Sequence, residues 1–236
     1  MGSKIKELIH KGLIPDWLDK IFYQSVTPLI NLFSRIHLNP NWLTFMGFIM
    51  NVIASIFIIY AHFGIACAFI IIGGIFDFID GKVAKSTGQM TKFGAIFDSV
   101  LDRYSDALLY LGIMVYYIMH DHNILAVLSI IALIGSLLTS YIKAIGESHG
   151  FRFRIGALRR QERITLISIG LLFSFAHNSI ENIMSNIMNH FNHSIDNLPI
   201  MPLSFIIYIL CILTNFSAVQ RLTFLLKKSR ESEIDE

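Results

Sequence analysis

Charge is scarce in this chain and unevenly spread. No lysine or arginine occurs between Arg35 and Lys82, between Arg103 and Lys143, or between Arg163 and Arg221. Only 15% of the 236 residues are charged, 54% are hydrophobic, and the mean hydropathy is +0.59. Such a composition excludes an ordinary soluble domain. The net charge of +2 is too small for a nucleic-acid partner, and no basic stripe with interleaved aromatics is present. Cysteine is nearly absent. Cys67 and Cys211 each lie in an apolar run and read as small buried hydrophobes rather than a disulfide. The polar start, MGSKIKELIHKGLIPDW, lacks the apolar core and small-residue cleavage site of a signal peptide. Internal repeats, glycine-serine linkers and low-complexity tracts are also lacking.

What the chain has instead is long apolar runs. Each basic-free interval is long enough for two membrane helices of about 20 residues joined by a turn. The first pair reads as 43–61 and 62–79, with AHFG as the turn. The second reads as 104–119 and 124–142, separated by HDHN. The third reads as 158–176 and 203–221, joined by a longer loop, 178–201. The fifth run is short, as expected of a helix whose inner end faces a wet cavity. All 19 basic residues then fall on one membrane face, which the positive-inside rule places in the cytoplasm together with both termini. Before the first run, WLDKIFYQSVTPLINLFSRI mixes apolar and charged residues like an interfacial amphipathic helix, with Pro28 a kink point.

The expected architecture is an all-α, polytopic membrane protein of six transmembrane helices preceded by that interfacial helix. Residues 1–39 form the juxtamembrane segment, 40–228 the membrane domain and 229–236 a polar tail.

Against this background five aspartates stand out: Asp77, Asp80, Asp98, Asp102 and Asp106. A carboxylate in hydrocarbon costs at least about 2.5 kcal/mol unless something compensates it. Asp77 and Asp80 are spaced i,i+3 at the inner end of the second helix, and Asp98 and Asp102 i,i+4 at the start of the third. Each pair shares one helical face, about 60° and 40° apart around the axis. The short connection makes the two helices antiparallel neighbours, so the pairs converge across one seam. Four clustered carboxylates need cations between them, and an all-oxygen donor set suits Mg²⁺ or Mn²⁺. Gly81 and Gly94 let a phosphate or base approach the backbone closely. Lys85, one turn after Gly81, adds a positive charge. Metal, glycine and cation together describe a pyrophosphate site. Gly73 and Gly74 read as helix-packing glycines. Helix caps or a cation pathway are the plainer accounts of the aspartates, but neither requires paired spacing with interleaved glycines. Asp106, one turn beyond Asp102, is open between a site role and orienting a Lys or Arg.

The stretch Asp77-x-x-Asp80-Gly81-x-x-Ala84-Lys85, followed by Gly94-x-x-x-Asp98-x-x-x-Asp102, resembles the signature of the CDP-alcohol phosphotransferases. That signature has arginine where this chain has Lys85, which keeps the charge and loses the bidentate fork. The resemblance implies two divalent cations (Mg²⁺ or Mn²⁺) held by Asp77, Asp80 and Asp98. Asp102 is then both general base and metal ligand, and Gly81, Lys85 and Thr91 contact the nucleotide. NPNWLT resembles the family's Pro-Asn-x-x-Thr stretch, which implicates Asn41 and Thr44 at the CDP-lipid; a helix N-cap is the alternative at Asn41. SYIKAIGESHG and GALRRQERI are similar to segments of the bacterial phosphatidylinositol-phosphate synthases and their archaeal relatives. The likeness makes Lys143, Arg160, Arg163 and Arg221 candidates for the acceptor's phosphate. Ile145 and Gln161 depart from those segments, where arginine and proline stand.

Guanidinium forks suit phosphate oxygens, so a phosphorylated acceptor is expected and a cationic one is not. Arg152, Arg154 and Arg159 read as anchors to anionic headgroups. The expected reaction is phosphatidyl transfer from CDP-diacylglycerol, or a related CDP-lipid, to inositol phosphate or another phosphorylated alcohol, with release of CMP. Glycerol 3-phosphate is the alternative acceptor. The family also implies a homodimer. A membrane prenyltransferase would set its aspartate motifs far apart in sequence, and an ion transporter would place its carboxylates near mid-membrane. His177, His190 and His193 lack the pattern of a metal site.

Overall fold

In the computed structural model of the protein the described residues are 16–151, 158–189 and 202–234, and they form seven helices and no strand. These are α1 (Asp16–Arg35), α2 (Pro40–Ile59), α3 (Phe63–Ser86), α4 (Lys92–Met119), α5 (Asn123–Ser148), α6 (Arg160–Asn189) and α7 (Pro202–Ile234). Every predicted run is helical, and the two tight turns fall where expected. Ala61 and Asp121 adopt left-handed backbone there, with φ 58° and 59°.

The helices run further than the apolar runs that announced them. α3 continues through Asp80 to Ser86, so Gly81 and Lys85 sit on helix rather than loop. The predicted loop 178–201 is helix as far as Asn189. Polar residues extend a helix as well as apolar ones do; hydropathy marks only the part that meets lipid. His190 and His193 lie outside the described residues, as do Arg152 and Arg154.

Four helices, α2, α3, α5 and α7, are long and apolar enough to cross a membrane. α4 and α6 do not qualify by composition. α4 carries Lys92, Asp98, Asp102, Arg103 and Asp106 in its first half, and α6 is uncharged and apolar only over 164–176. The protein is thus an all-α polytopic membrane protein, and α4 and α6 join α3 and α7 in bringing charged side chains to its interior.

α2 packs on both α3 and α4, α5 on α4 and α7, and α6 on α3 and α7. Small residues permit the close approaches. Gly73 lies against the carbonyl of Gly47, and a Cβ at Gly112 would sit 2.9 Å from the Ser55 carbonyl. Gly74, expected to pack likewise, faces open space. The main core contains Phe63, Leu109, Ile113, Tyr116, Tyr117, Leu171 and Leu210. Isoleucines, leucines and aromatics also stay exposed on the outside, among them Ile71, Val127, Leu138, Phe173 and Ile212. That is the pattern of helices facing lipid. α1 covers the inner ends of α2 and α3: Val26 and Ile30 pack with Leu43, Ile79 and Val83, and Ser34 Oγ meets Ser86 Oγ at 2.8 Å. Pro28 lies within the helix.

Candidate active site

The site is assembled from helix ends. At the start of α2 the cap is Asn39, whose side chain accepts from the Asn41 backbone N–H at 3.0 Å, and Pro40 follows at the first helical position. The cap, given as the alternative role of Asn41, therefore falls to Asn39, two residues earlier. Asn41 lies in the first turn, and a Cβ at Gly94 would lie 3.1 Å from its Oδ1. A larger residue there would push the Asn41 and Thr91 side chains aside where α4 begins beside α2. Thr91, read as a nucleotide contact, caps α4 by accepting from the Gly94 N–H at 2.9 Å.

Thr44 is buried and donates to Asp80 Oδ2 at 2.5 Å. The resemblance set Thr44 at the CDP-lipid; in the structure its hydroxyl orients one of the aspartates. Asp77, Asp98 and Asp102 come together, each offering a carboxylate oxygen within 4.8 Å of the others. α3 and α4 each pack chiefly on α2 rather than on one another, so the direct pairing expected of them gives way to shared packing on α2, and their carboxylates converge across the seam between them. An all-oxygen, partly exposed cluster of this kind can hold a hard divalent cation.

A positive charge from the chain itself already faces these carboxylates. Arg160, at the first position of α6, places Nη1 2.8 Å from Asp77 Oδ2 and 2.8 Å from Asp102 Oδ1. Its Nε lies 3.3 Å from Asp106 Oδ1. The donor set thus fits a cation. The start of α6 is held by Glu162, which accepts from the Arg159 backbone N–H at 2.7 Å, the reach-back half of a capping box.

Beyond Asp102 lies a second, deeper layer. Asp106, 6% exposed, takes Arg163 Nη2 at 2.9 Å and the Ser136 hydroxyl at 3.2 Å on Oδ2. Arg163 is 3% exposed and Arg221 8%. Arg221 Nη1 donates to the Thr139 carbonyl at 2.7 Å, but the Nε atoms of both arginines are buried without a hydrogen-bond partner. Two buried guanidiniums thus carry donors that an anion could use. Gly81 and Lys85 are exposed near the inner end of α3, and a Cβ at Gly81 would meet nothing within 4 Å. Lys143 does not join this layer. It is 53% exposed and pairs with Glu147 at 3.7 Å along its own helix.

Sequence reasoning missed Ser136 and Thr139, hydroxyls on an apolar helix. Their i,i+3 spacing, with Lys143 one turn further, was the available signal. It also stopped short of Asp106 as the shared partner of two arginines.

Residues 37–192 match the family model of CDP-alcohol phosphatidyltransferase. The chain belongs to that family. It is an integral membrane phosphatidyltransferase of phospholipid synthesis, and the prenyltransferase and ion-transporter readings fall. A phosphatidylinositol phosphate synthase of Corynebacterium glutamicum is 33% identical over 150 residues, 62% of this chain and 68% of that protein. An archaetidylinositol phosphate synthase of Pyrococcus horikoshii is 33% identical over 142 residues, 60% of this chain and 73% of its own. The fold is similar to that of the Mycobacterium tuberculosis phosphatidylinositol phosphate synthase with CDP-DAG bound (TM-score 0.68, 25% identity, 85% of this chain and 92% of that one). A second structure of the same enzyme, in complex with manganese and citrate, gives a TM-score of 0.70 at 25% identity, over 85% and 88% of the two chains.

Proposed function

We propose that the protein transfers the phosphatidyl group of CDP-diacylglycerol, or a related CDP-lipid, to a hydroxyl of inositol phosphate and releases CMP. The observation that carries the choice of acceptor is the buried arginine layer. Arg163, held on Asp106, and Arg221, held on the Thr139 carbonyl, keep Nε donors without a partner, hydrogen-bonding capacity that suits a phosphate and that the transferred group does not itself need. The names of the curated relatives support the same acceptor.

Asp77, Asp80, Asp98 and Asp102 would hold two Mg²⁺ or Mn²⁺ ions. When bound, such ions neutralise the pyrophosphate and stabilise the leaving CMP. Thr44 fixes one oxygen of Asp80 and leaves the other for the metal side. Asn41, Gly81, Lys85 and Thr91 surround the nucleotide end of the donor, with Gly81 offering an unobstructed approach. Arg160, Arg163 and Arg221 receive the acceptor's phosphate, and Lys143 joins them only by leaving Glu147. Asp102 accepts the hydroxyl proton. The hydroxyl oxygen then bonds to the lipid-bearing phosphorus, the bond from that phosphorus to the CMP oxygen breaks, and CMP leaves with the electron pair.

We read all six helices α2–α7 as membrane-spanning and α1 as interfacial. Residues 40–228 form the catalytic domain between the 1–39 segment and the 229–236 tail, and the aspartates lie at the cytoplasmic face. The family likeness supports a homodimer.

The test is CMP release by purified protein with CDP-diacylglycerol and Mg²⁺, comparing inositol phosphate, glycerol 3-phosphate and no acceptor. Release is expected with inositol phosphate and to fall more than about 100-fold in Asp98→Asn, since even groups outside the ligand shell cost 10–100-fold. Release with glycerol 3-phosphate alone keeps the mechanism and changes the acceptor. That second reading is supported by Ile145 and Gln161, which depart from the inositol-phosphate subgroup while leaving the arginines in place.

A further inference from the structure

Arg160 belongs to two sites at once. One end of its guanidinium lies between Asp77 and Asp102, two of the three carboxylates that converge as a cation site. Its Nε lies on Asp106, the carboxylate that also holds the buried Arg163. A divalent cation at the Asp77–Asp98–Asp102 cluster needs the same oxygens that Nη1 now uses, and it repels the guanidinium beside it.

We propose that Arg160 is an exchange residue coupling metal binding to formation of the acceptor-phosphate site. Without metal it is the counter-cation of Asp77 and Asp102. When a divalent ion takes those oxygens, Nη1 is released. Asp106 retains Nε, because its carboxylate is fixed by Arg163 and Ser136 and does not follow the guanidinium. The freed donor is then turned toward the arginine layer, where it meets the acceptor's phosphate. Arg160 thus acts first as a competitor of the metal and then as a ligand for the phosphate, in sequence rather than together. The inference rests on Asp77, Asp98 and Asp102 forming the metal site.

The exchange has a cost that can be measured without turnover: each metal ion must displace a bound guanidinium. Mn²⁺ binding to the purified full-length protein, with neither donor nor acceptor present, is followed by the electron paramagnetic resonance signal of free Mn²⁺. Arg160→Gln removes the competitor and is expected to bind Mn²⁺ about 5-fold tighter or more, a typical coupling between linked sites. Arg160→Lys, which keeps the charge without the fork, should fall between Gln and wild type. Inositol phosphate should bind wild type more tightly with Mn²⁺ than without, and this coupling should vanish in Arg160→Gln. A structure of the wild type with Mn²⁺ bound should show Nη1 away from Asp77 and Asp102 with Nε still on Asp106; this requires no variant to fold. Mn²⁺ bound while Arg160 still bridges the two aspartates overturns the proposal, as does unchanged Mn²⁺ affinity in both variants. Asp98→Asn separates the two ideas. If it abolishes Mn²⁺ binding while the Arg160 variants bind no tighter, only the exchange fails. If wild type binds no Mn²⁺, the metal reading fails with it.

Discussion

Around the turns that join α2 to α3 and α4 to α5, the helices meet through rings. Phe63 and Tyr116 lie edge to face with centroids 5.1 Å apart, and the Tyr117 hydroxyl reaches Ser204 at 3.1 Å. Leu109 and Ile113 are wholly buried beneath them. At the opposite end the same α3 and α4, joined there by α6, meet through aspartates and arginines. One end packs as tightly as small residues allow. The other leaves carboxylates and guanidiniums with valences to spare. Lipid does not drive apolar helices together, so the first end depends on close contact. The second depends on charges that must be balanced for the helices to stay adjacent. The difference teaches that folding and chemistry occupy opposite ends of the same bundle.

Asp106 is where that separation is most easily broken, because it lies in the polar end and yet is buried. Asp106→Ala leaves Arg163 without its carboxylate, and losing one partner of a buried pair costs about 3–5 kcal/mol. Thermal unfolding in detergent should show a large drop, and Asp106→Asn should recover part of it by keeping the hydrogen-bonding shape.

Two glycines sharpen the contrast. In the tight end, Gly112→Ala would push a methyl to 2.5 Å from Ser55 Oγ and 2.9 Å from its backbone carbonyl. Overpacking of this kind costs about 1–3 kcal/mol. In the open end, Gly81→Ala meets nothing, and relief of glycine's backbone entropy within a helix should raise stability by about 0.5–1 kcal/mol. The KM for the CDP-lipid should nevertheless rise, since the methyl enters the space assigned to the nucleotide. Equal melting temperatures for the two variants would dissolve the comparison.

The smallest effect belongs to Lys143. Its surface pair with Glu147 is worth about 0.3–0.5 kcal/mol, so Lys143→Gln should leave unfolding almost unchanged. A several-fold rise in KM for inositol phosphate would show that its side chain leaves Glu147 to serve the acceptor. An unchanged KM removes it from the site.

Much of this was legible in one dimension. The basic-free intervals delimited the helices because lipid tolerates few charges, and the i,i+3 and i,i+4 aspartates announced a shared face because helical geometry leaves no other arrangement. Helix ends were less legible. α3 and α6 continue well past the ends of their apolar runs at 79 and 176, since backbone hydrogen bonding needs no hydrophobicity. Thr44 and Thr91 were placed near the donor by resemblance, and in the fold their hydroxyls bond to Asp80 and the Gly94 N–H. A hydroxyl's partner depends on the neighbouring helix.

By itself, then, the sequence determined that the chain is helical, lies in a membrane and carries a carboxylate cluster with nearby arginines. Those properties follow from composition and from periodicities within single helices. Only the tertiary structure decided that Arg160 faces Asp77 and Asp102, that Asp106 serves two arginines and that Lys143 stays at the surface. Each of these joins residues between 54 and 83 positions apart or depends on the rotation of one helix against another. That rotation is set by packing, where small residues permit contact and buried charges demand partners.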